Sequence, residues 1–259
     1  MTTTVSSDPD VDAALANLVV VLADTKYFLG RRLSESAIGA PTLESAVACA
    51  AIAQEELGHT RPLYSFLEQL SLPNPPVPLE RDDDRERKYC LSLLRERFPT
   101  WPHAVAALFL VDSALAIMLE GLEKATLEVL RRRASRVVAD EPVHRKFAAG
   151  RIRELGTSAA AAELARDVDQ LLPEILCWFG PSGERGVDTL KEAGLVELDN
   201  ERLRQSFLDR VLPLLAEAGI AVRVEWSSDR EAWEYEALPW ERWNSLERRL
   251  EPSAGTARP

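Results

Sequence analysis

Residues 11–33 read VDAALANLVVVLADTKYFLGRRL, and away from the ends only Asp24 and Lys26 bring charge into the run. A helix that is apolar around most of its circumference has to be covered by other elements. The segment therefore calls for several helices packed around it. Pro41-Thr42-Leu43-Glu44 reads as the next helix start, with Thr42 near the N-cap. That helix runs to about Leu70, and its alanine-rich stretch AVACAAIA allows close helix packing. A third long helix opens near Trp101-Pro102, since proline suits the first turn, and continues through AVAALFLVDSALAIMLEGLEKA. Either it runs on, or a break near Thr126 opens a fourth helix that ends at Gly156, a suitable C-cap.

A fifth helix is expected over 158–179, stopped by Gly180-Pro181-Ser182-Gly183. A short helix near 188–193 and another from about 200 to 218 follow. No alternating apolar and polar run is long enough to demand a sheet. The expected fold class is all-α: a four-helix bundle over 11–157 and a helical extension over 158–259, in a single compact domain. The connection SLPNPPVPLERDDDRER reads as an exposed linker. The tail carries Trp226, Trp233, Trp240 and Trp243 and is expected to lie along the body of the protein.

Charge and composition exclude several function classes. Asp plus Glu outnumber Lys plus Arg by 42 to 31, a net charge of −11. A nucleic-acid footprint needs clustered cations, so none is expected. No run reaches the roughly 18 consecutive apolar residues of a membrane span. The start, MTTTVSSDPD, has neither the basic region nor the apolar core of a signal peptide. Cys49, Cys90 and Cys177 are odd in number and widely spaced, which argues against a disulfide framework or a thiolate metal site. A soluble, cytoplasmic protein is expected.

The chemistry is carried by histidine spacing. Of three histidines, two follow a glutamate by three residues: Glu56-Leu57-Gly58-His59 and Glu141-Pro142-Val143-His144. On a helix, positions i and i+3 share a face, so each pair can offer a carboxylate and an imidazole to one metal ion. Two such pairs on the second and fourth helices of a bundle match the ferritin-like dinuclear carboxylate arrangement, in which the other two helices each add an acid. On the third helix that acid is Asp112, inside FLVDSALAI. A lone buried carboxylate costs several kcal/mol, roughly, so it needs a partner. A satisfied core aspartate is the alternative. Glu120, eight residues later, either supports a ligand or lies on the surface.

The first helix departs from the pattern. The spacing between Asp112 and Glu141, applied back from Glu56, falls on Tyr27, with Lys26 adjacent and Asp24 nearly a turn away. Asp24 is a candidate ligand or supporting partner. Lys26 is either neutral, or turned away, or a replacement for a metal that ion-pairs with the carboxylates. Pro142, inside the second motif, is expected either to distort the helix for packing or to free the Val138 carbonyl and open room near the metals. Pro62 invites the same expectation. His103 is expected to be a plain surface or capping residue.

These residues resemble the ferritin-like phenylacetic acid catabolism family, in particular its catalytic ring 1,2-phenylacetyl-CoA epoxidase subunits. Ala40-Pro41-Thr42-Leu43 followed by Gln54-Glu55-Glu56-Leu57-Gly58-His59 is similar to the family's APTL…QDEAGH run, and Leu110-Val111-Asp112-Ser113-Ala114 to its LVDGA. Phe179-Gly180-Pro181-Ser182, the stretch Glu201 to Phe207, and Val224-Glu225-Trp226 through Pro239-Trp240 resemble later segments. The resemblance implies a dinuclear iron site (manganese is an alternative) that uses O₂ to put one oxygen atom into an aromatic acyl-CoA ring. Glu56, His59, Asp112, Glu141 and His144 match its metal-ligand positions. The family's first-helix glutamate falls on Lys26. The resemblance further implies a related helical partner subunit, an external reductase, and an oligomer. The leading expectation is an O₂-dependent iron oxygenase, with Lys26 and Asp24 serving near the metals. The alternative is a non-catalytic structural subunit in which Lys26 replaces a metal. Iron handling or peroxide detoxification is a third reading, against which the long extension argues.

Overall fold

The computed structural model describes residues 8–70, 72–74, 76–81, 91–244 and 249–251. Cys90 and the charged part of the linker, residues 82–87, lie outside the described residues. Among the described residues eight α-helices carry the fold: α1 Pro9–Ala37, α2 Leu43–Leu67, α3 Trp101–Leu122, α4 Glu128–Val138, α5 Glu141–Gly156, α6 Ala161–Trp178, α7 Arg185–Glu192 and α8 Asn200–Glu217. The architecture is all-α and ferritin-like.

Side-chain caps fix where the main helices begin. Asp8 accepts from the Asp10 amide, Thr42 from Ser45, Thr100 from His103 and Asp199 from Arg202. Each satisfies an amide that has no intrahelical partner. α1 lies mainly along α2, and α3 runs through the middle, touching α1, α4, α5, α6 and α8. Nearly all of α3 is buried: Pro102, Ala104 to Leu119, and Leu122. By length and composition α1 and α3 are apolar enough to cross a bilayer. However, 83% and 89% of their most apolar stretches are buried inside the protein, so the bundle itself absorbs that surface.

Gly30 permits the close approach of α1 to α2. A Cβ there would sit 2.9 Å from the Ala53 carbonyl oxygen and 3.1 Å from Glu56 Cβ. That approach, one turn beyond Lys26, brings the first helix within reach of the second.

Three expectations are corrected. The fourth helix is two helices: α4 ends at Val138 and α5 restarts at Glu141. Pro142 therefore occupies the first turn of α5, where its missing N–H has no intrahelical acceptor, and is not in a helix interior. Pro62 does lie inside α2, and its carbonyl accepts from Arg133 Nη1 at 2.6 Å. Second, the tail holds two short antiparallel hairpins, β1 Val224–Ser227 with β2 Ala232–Tyr235, and β3 Trp243–Asn244 with β4 Arg249–Leu250. Strands of two to four residues are too short to show a periodicity of two. Third, His103 is more than a surface cap: its ring lies 3.4 Å from Asp167 Oδ1 and beside Phe98.

The first hairpin rests on α8. Trp233 Nε1 donates to Asp209 at 2.7 Å, and the Tyr235 hydroxyl meets Glu201 and the buried Arg204. Arg204 also donates to the Gly180 carbonyl and to Ser182, and stacks over Trp240. One guanidinium thus ties the α6–α7 turn, α8 and the tail together.

Candidate metal centre

Four helices deliver charged side chains to one point in the bundle. α1 brings Lys26, α2 Glu56, α3 Asp112, and α5 both Glu141 and His144, all buried. One ligand atom from each of Glu56, Asp112, Glu141 and His144 lies within 4.8 Å of the others. The Lys26 ammonium stands among them, 3.0 and 2.9 Å from the two Glu56 oxygens and 2.9 Å from Glu141 Oε1. His144 Nδ1 is 3.0 Å from Glu56 Oε1, 3.6 Å from Asp112 Oδ1 and 3.8 Å from Glu141 Oε2.

These contacts set the acidities. Burial alone would push the Lys26 ammonium down, but the charges of Glu141, Glu56 and Asp112 hold it well above its ordinary value. Burial works against the Glu56 anion, yet Lys26 and then His144 keep it well below the usual carboxylate range. Asp112 goes the other way: burial, followed by the charge of Glu141, raises it well above normal. Burial opposes the His144 cation, but Asp112 and Glu56 overcome it and push the ring up to about 11. Without a metal, then, three carboxylates face two cations, and the raised Asp112 brings the group close to charge balance.

Two residues that sequence reasoning did not single out orient the histidines. His144 Nε2 meets Glu55 Oε2 at 2.7 Å, and His59 Nε2 meets Asp140 Oδ2 at 3.0 Å. The pairing is reciprocal: the acid just before the glutamate of each Glu-x-x-His motif holds the histidine of the other. Carboxylates in this outer position fix ring orientation at metal-binding histidines. The signal was available in Glu55-Glu56 and Asp140-Glu141, an acidic pair opening each motif.

The remaining candidates are placed as follows. His59 is outside the four-residue group; its ring centroid is 6.0 Å from that of His144, and its Nδ1 is buried with no hydrogen-bond partner. Asp24 is fully buried and accepts from the Tyr64 hydroxyl. Glu120 faces away from the cluster and pairs with Arg210 at 2.6 Å.

Asp112 Oδ1, Glu141 Oε2 and His144 Nδ1 are buried and face one another, with His144 Nδ1 also 3.0 Å from Glu56 Oε1. Hard oxygen and imidazole donors 3.6 and 3.8 Å apart suit one divalent transition-metal ion. On the Glu56 side the ammonium of Lys26 holds the place where a second ion would need a first-helix carboxylate. The donor set therefore fits one divalent cation and does not fit a pair.

A family described as phenylacetic acid catabolic protein matches residues 1–249. No curated protein matches the chain.

Proposed function

The chain belongs to the phenylacetic acid catabolic protein family, and from that premise we propose that it is a helical component of a multicomponent oxygenase. Its centre holds one divalent metal, iron in the first instance, beside Lys26. The observation that carries this reading is the trio of buried ligand atoms that face one another, Asp112 Oδ1, Glu141 Oε2 and His144 Nδ1, adjoining an ammonium that already occupies the other half of the site. Charge supports it. One ammonium and one divalent ion balance the three carboxylates with His144 neutral. A divalent pair beside the same ammonium would leave two positive charges uncompensated in a buried site, where unpaired charge is most costly.

Bound iron would supply O₂ activation, for insertion of one oxygen atom into an aromatic substrate carried as an acyl thioester. Asp112, Glu141, His144 and Glu56 would hold it. The chain's own residues do the rest. Glu55 and Asp140 hold the imidazoles in register. Lys26 keeps Glu56 ionised. Glu55, whose side chain is 47% exposed, joins solvent to His144 at 2.7 Å, and His144 lies 3.0 Å from Glu56. The contact of Glu55 with Nε2 leaves Nδ1 as the ring atom that would meet the metal. Electrons would come from a separate reductase, and a related helical subunit would complete the assembly in the cytoplasm.

A second reading is a metal-free structural subunit. The specific support is Lys26 itself, which makes three contacts of 2.9–3.0 Å with carboxylate oxygens and leaves the cluster near balance alone. Metal stoichiometry separates the readings. After anaerobic Fe(II) reconstitution, the full chain should hold about one iron. Two irons per chain would overturn the mixed lysine–metal centre in favour of the dinuclear oxygenase. None would leave the structural subunit. K26E should raise the capacity by one ion if Lys26 stands in for a metal, and an unchanged capacity would refute that role.

A further inference from the structure

The end of the bundle beside α7 and α8 holds two adjoining spaces that the metal chemistry does not use. One is a crevice of about 30 Å³, walled by Leu18, Met118, Leu190, Val196 and Leu203, with Asn200 among them. The other is an open vestibule of about 310 Å³ over Glu120, Lys124, Ser206 and Arg210. Gly121, Glu197 and Leu198 border both, so the two spaces meet there. Gly121 lies nine residues beyond Asp112 on α3, and Leu18 eight residues before Lys26 on α1. The crevice is therefore about 12–13 Å along the bundle from the metal centre.

Asn200 makes this more than a packing gap. It is 1% exposed, and its amide nitrogen donates to the Pro181 carbonyl at 2.9 Å and to Glu184 Oε2 at 3.0 Å. Two acceptors on one side fix the orientation of the amide. Its Oδ1 is thus the atom left for the crevice, and no protein group donates to it. A buried carbonyl without a donor is costly, and the apolar walls supply none.

We propose that crevice and vestibule form a second binding site, for a small neutral alcohol. A terminal hydroxyl donates to Asn200 Oδ1, a short unbranched stem lies between Leu18, Met118 and Leu203, and the polar remainder stays in the vestibule. Size and charge select this class. The crevice has room for about two water-sized groups, which admits a hydroxymethyl end and excludes an aromatic ring. In the vestibule Arg210 pairs with Glu120 and Lys124 with Glu197, each at 2.6 Å. Each of these cations already has its carboxylate, so an ionic ligand finds no free counter-charge there. An ammonium would also have to leave water for apolar walls.

The sequence supplies its own reporter. The chain has two methionines, and Met118 lines the crevice, so methyl-¹³C-methionine labelling of the full chain gives one signal in the site and Met1 as control. Titration with 1,4-butanediol should shift the Met118 signal, assigned with M118L, saturably with a Kd of about 1–10 mM, and leave Met1 in place. 1,4-Difluorobutane has nearly the same shape and no donor, and should bind about tenfold more weakly. Doubly charged 1,4-diaminobutane should be weaker as well. Gly121→Leu should abolish the shift with Tm unchanged or raised, because a Cβ at 121 meets nothing within 4 Å and the longer side chain grows into the shared mouth. A Met118 signal that stays still, or drifts linearly together with Met1 up to about 100 mM, overturns the proposal and leaves a crevice that holds only water. Equal binding of the difluoro compound overturns the role of Asn200 Oδ1. Tighter binding of the diamine overturns the neutral ligand, and undiminished binding by G121L overturns the location.

Discussion

Replacing Lys26 by methionine isolates the charge at the heart of the bundle, because the side chain keeps its apolar stem and loses only the ammonium. The wild-type group is fully buried and makes two contacts with Glu56 and one with Glu141. Removing one partner of a buried ion pair costs about 3–5 kcal/mol, since the other partner stays behind uncompensated. Here what stays behind is three carboxylates facing His144 alone. For a chain of this size 1 kcal/mol moves Tm by about 2–4 °C, so K26M should melt about 6–20 °C below the wild type in metal-free buffer. Differential scanning calorimetry measures this directly.

The cause is separable from the size of the effect. In K26M/E56M/E141M the charges leave together, and most of the loss should return, because apolar replacement of a whole buried ion cluster is close to neutral. Mn(II) at a hundredfold excess over its Kd should stabilise K26M by about 2.7 kcal/mol, a rise of about 5–11 °C in Tm. A K26M variant within about 1 kcal/mol of the wild type would refute the central role given to the ammonium. A triple variant less stable than K26M would show that packing, not charge, was lost.

Three further outcomes are expected. Glu55→Gln should weaken metal binding about 10- to 100-fold by releasing the His144 ring, with Tm nearly unchanged because the side chain is half exposed; unaltered affinity in a metal titration would remove Glu55 from the site. Gly30→Ala should cost about 1–3 kcal/mol by forcing a methyl against the Ala53 carbonyl and Glu56, read as a fall in Tm. Burial raises the Glu201 carboxyl, but hydrogen bonds from Gln205, Arg204 and Tyr235 bring it below its ordinary value; a depressed acid stabilises above the unfolded pKa and loses that contribution as pH falls, so proteolysis of the 224–235 hairpin should accelerate below about pH 4.5 and E201Q should flatten that dependence.

The helices were legible because their signals are local. The cap at Thr42, the first-turn proline at Pro102, and long apolar runs through 11–33 and 104–122 state both position and burial. The break at 139–140 was not legible in the same way. Glu141-Pro142 fits either a proline inside a long helix or a proline in the first turn of a new one, and only packing against α3 and α6 decides. The tail hairpins escaped because two to four residues cannot display a period of two. At the site, Glu-x-x-His spacing pointed to Glu56, Glu141 and His144, and the burial of Asp112 in an apolar run pointed to its partnership. His59 matches the same motif, yet Asp140 holds it one layer away from the group. That difference depends on how α2 faces the α4–α5 joint, which no spacing along one helix records.

Lys26 shows best why residue type and geometry have to be read together. In the sequence an ammonium beside two acidic motifs permitted three opposite readings: neutral, averted, or standing in for a metal. Averted is excluded by three contacts of 2.9–3.0 Å. Neutral is disfavoured, because the fields of Glu141, Glu56 and Asp112 outweigh the burial that would strip the proton. What remains is a permanent positive charge fixed at the one helix that brings no carboxylate to the centre. Such a charge needs no loading, cannot be chelated away, and changes no oxidation state. A bundle centred on it gains the electrostatic closure that a first metal ion would supply. In the function proposed above it would leave Asp112, Glu141 and His144 to hold a single divalent ion.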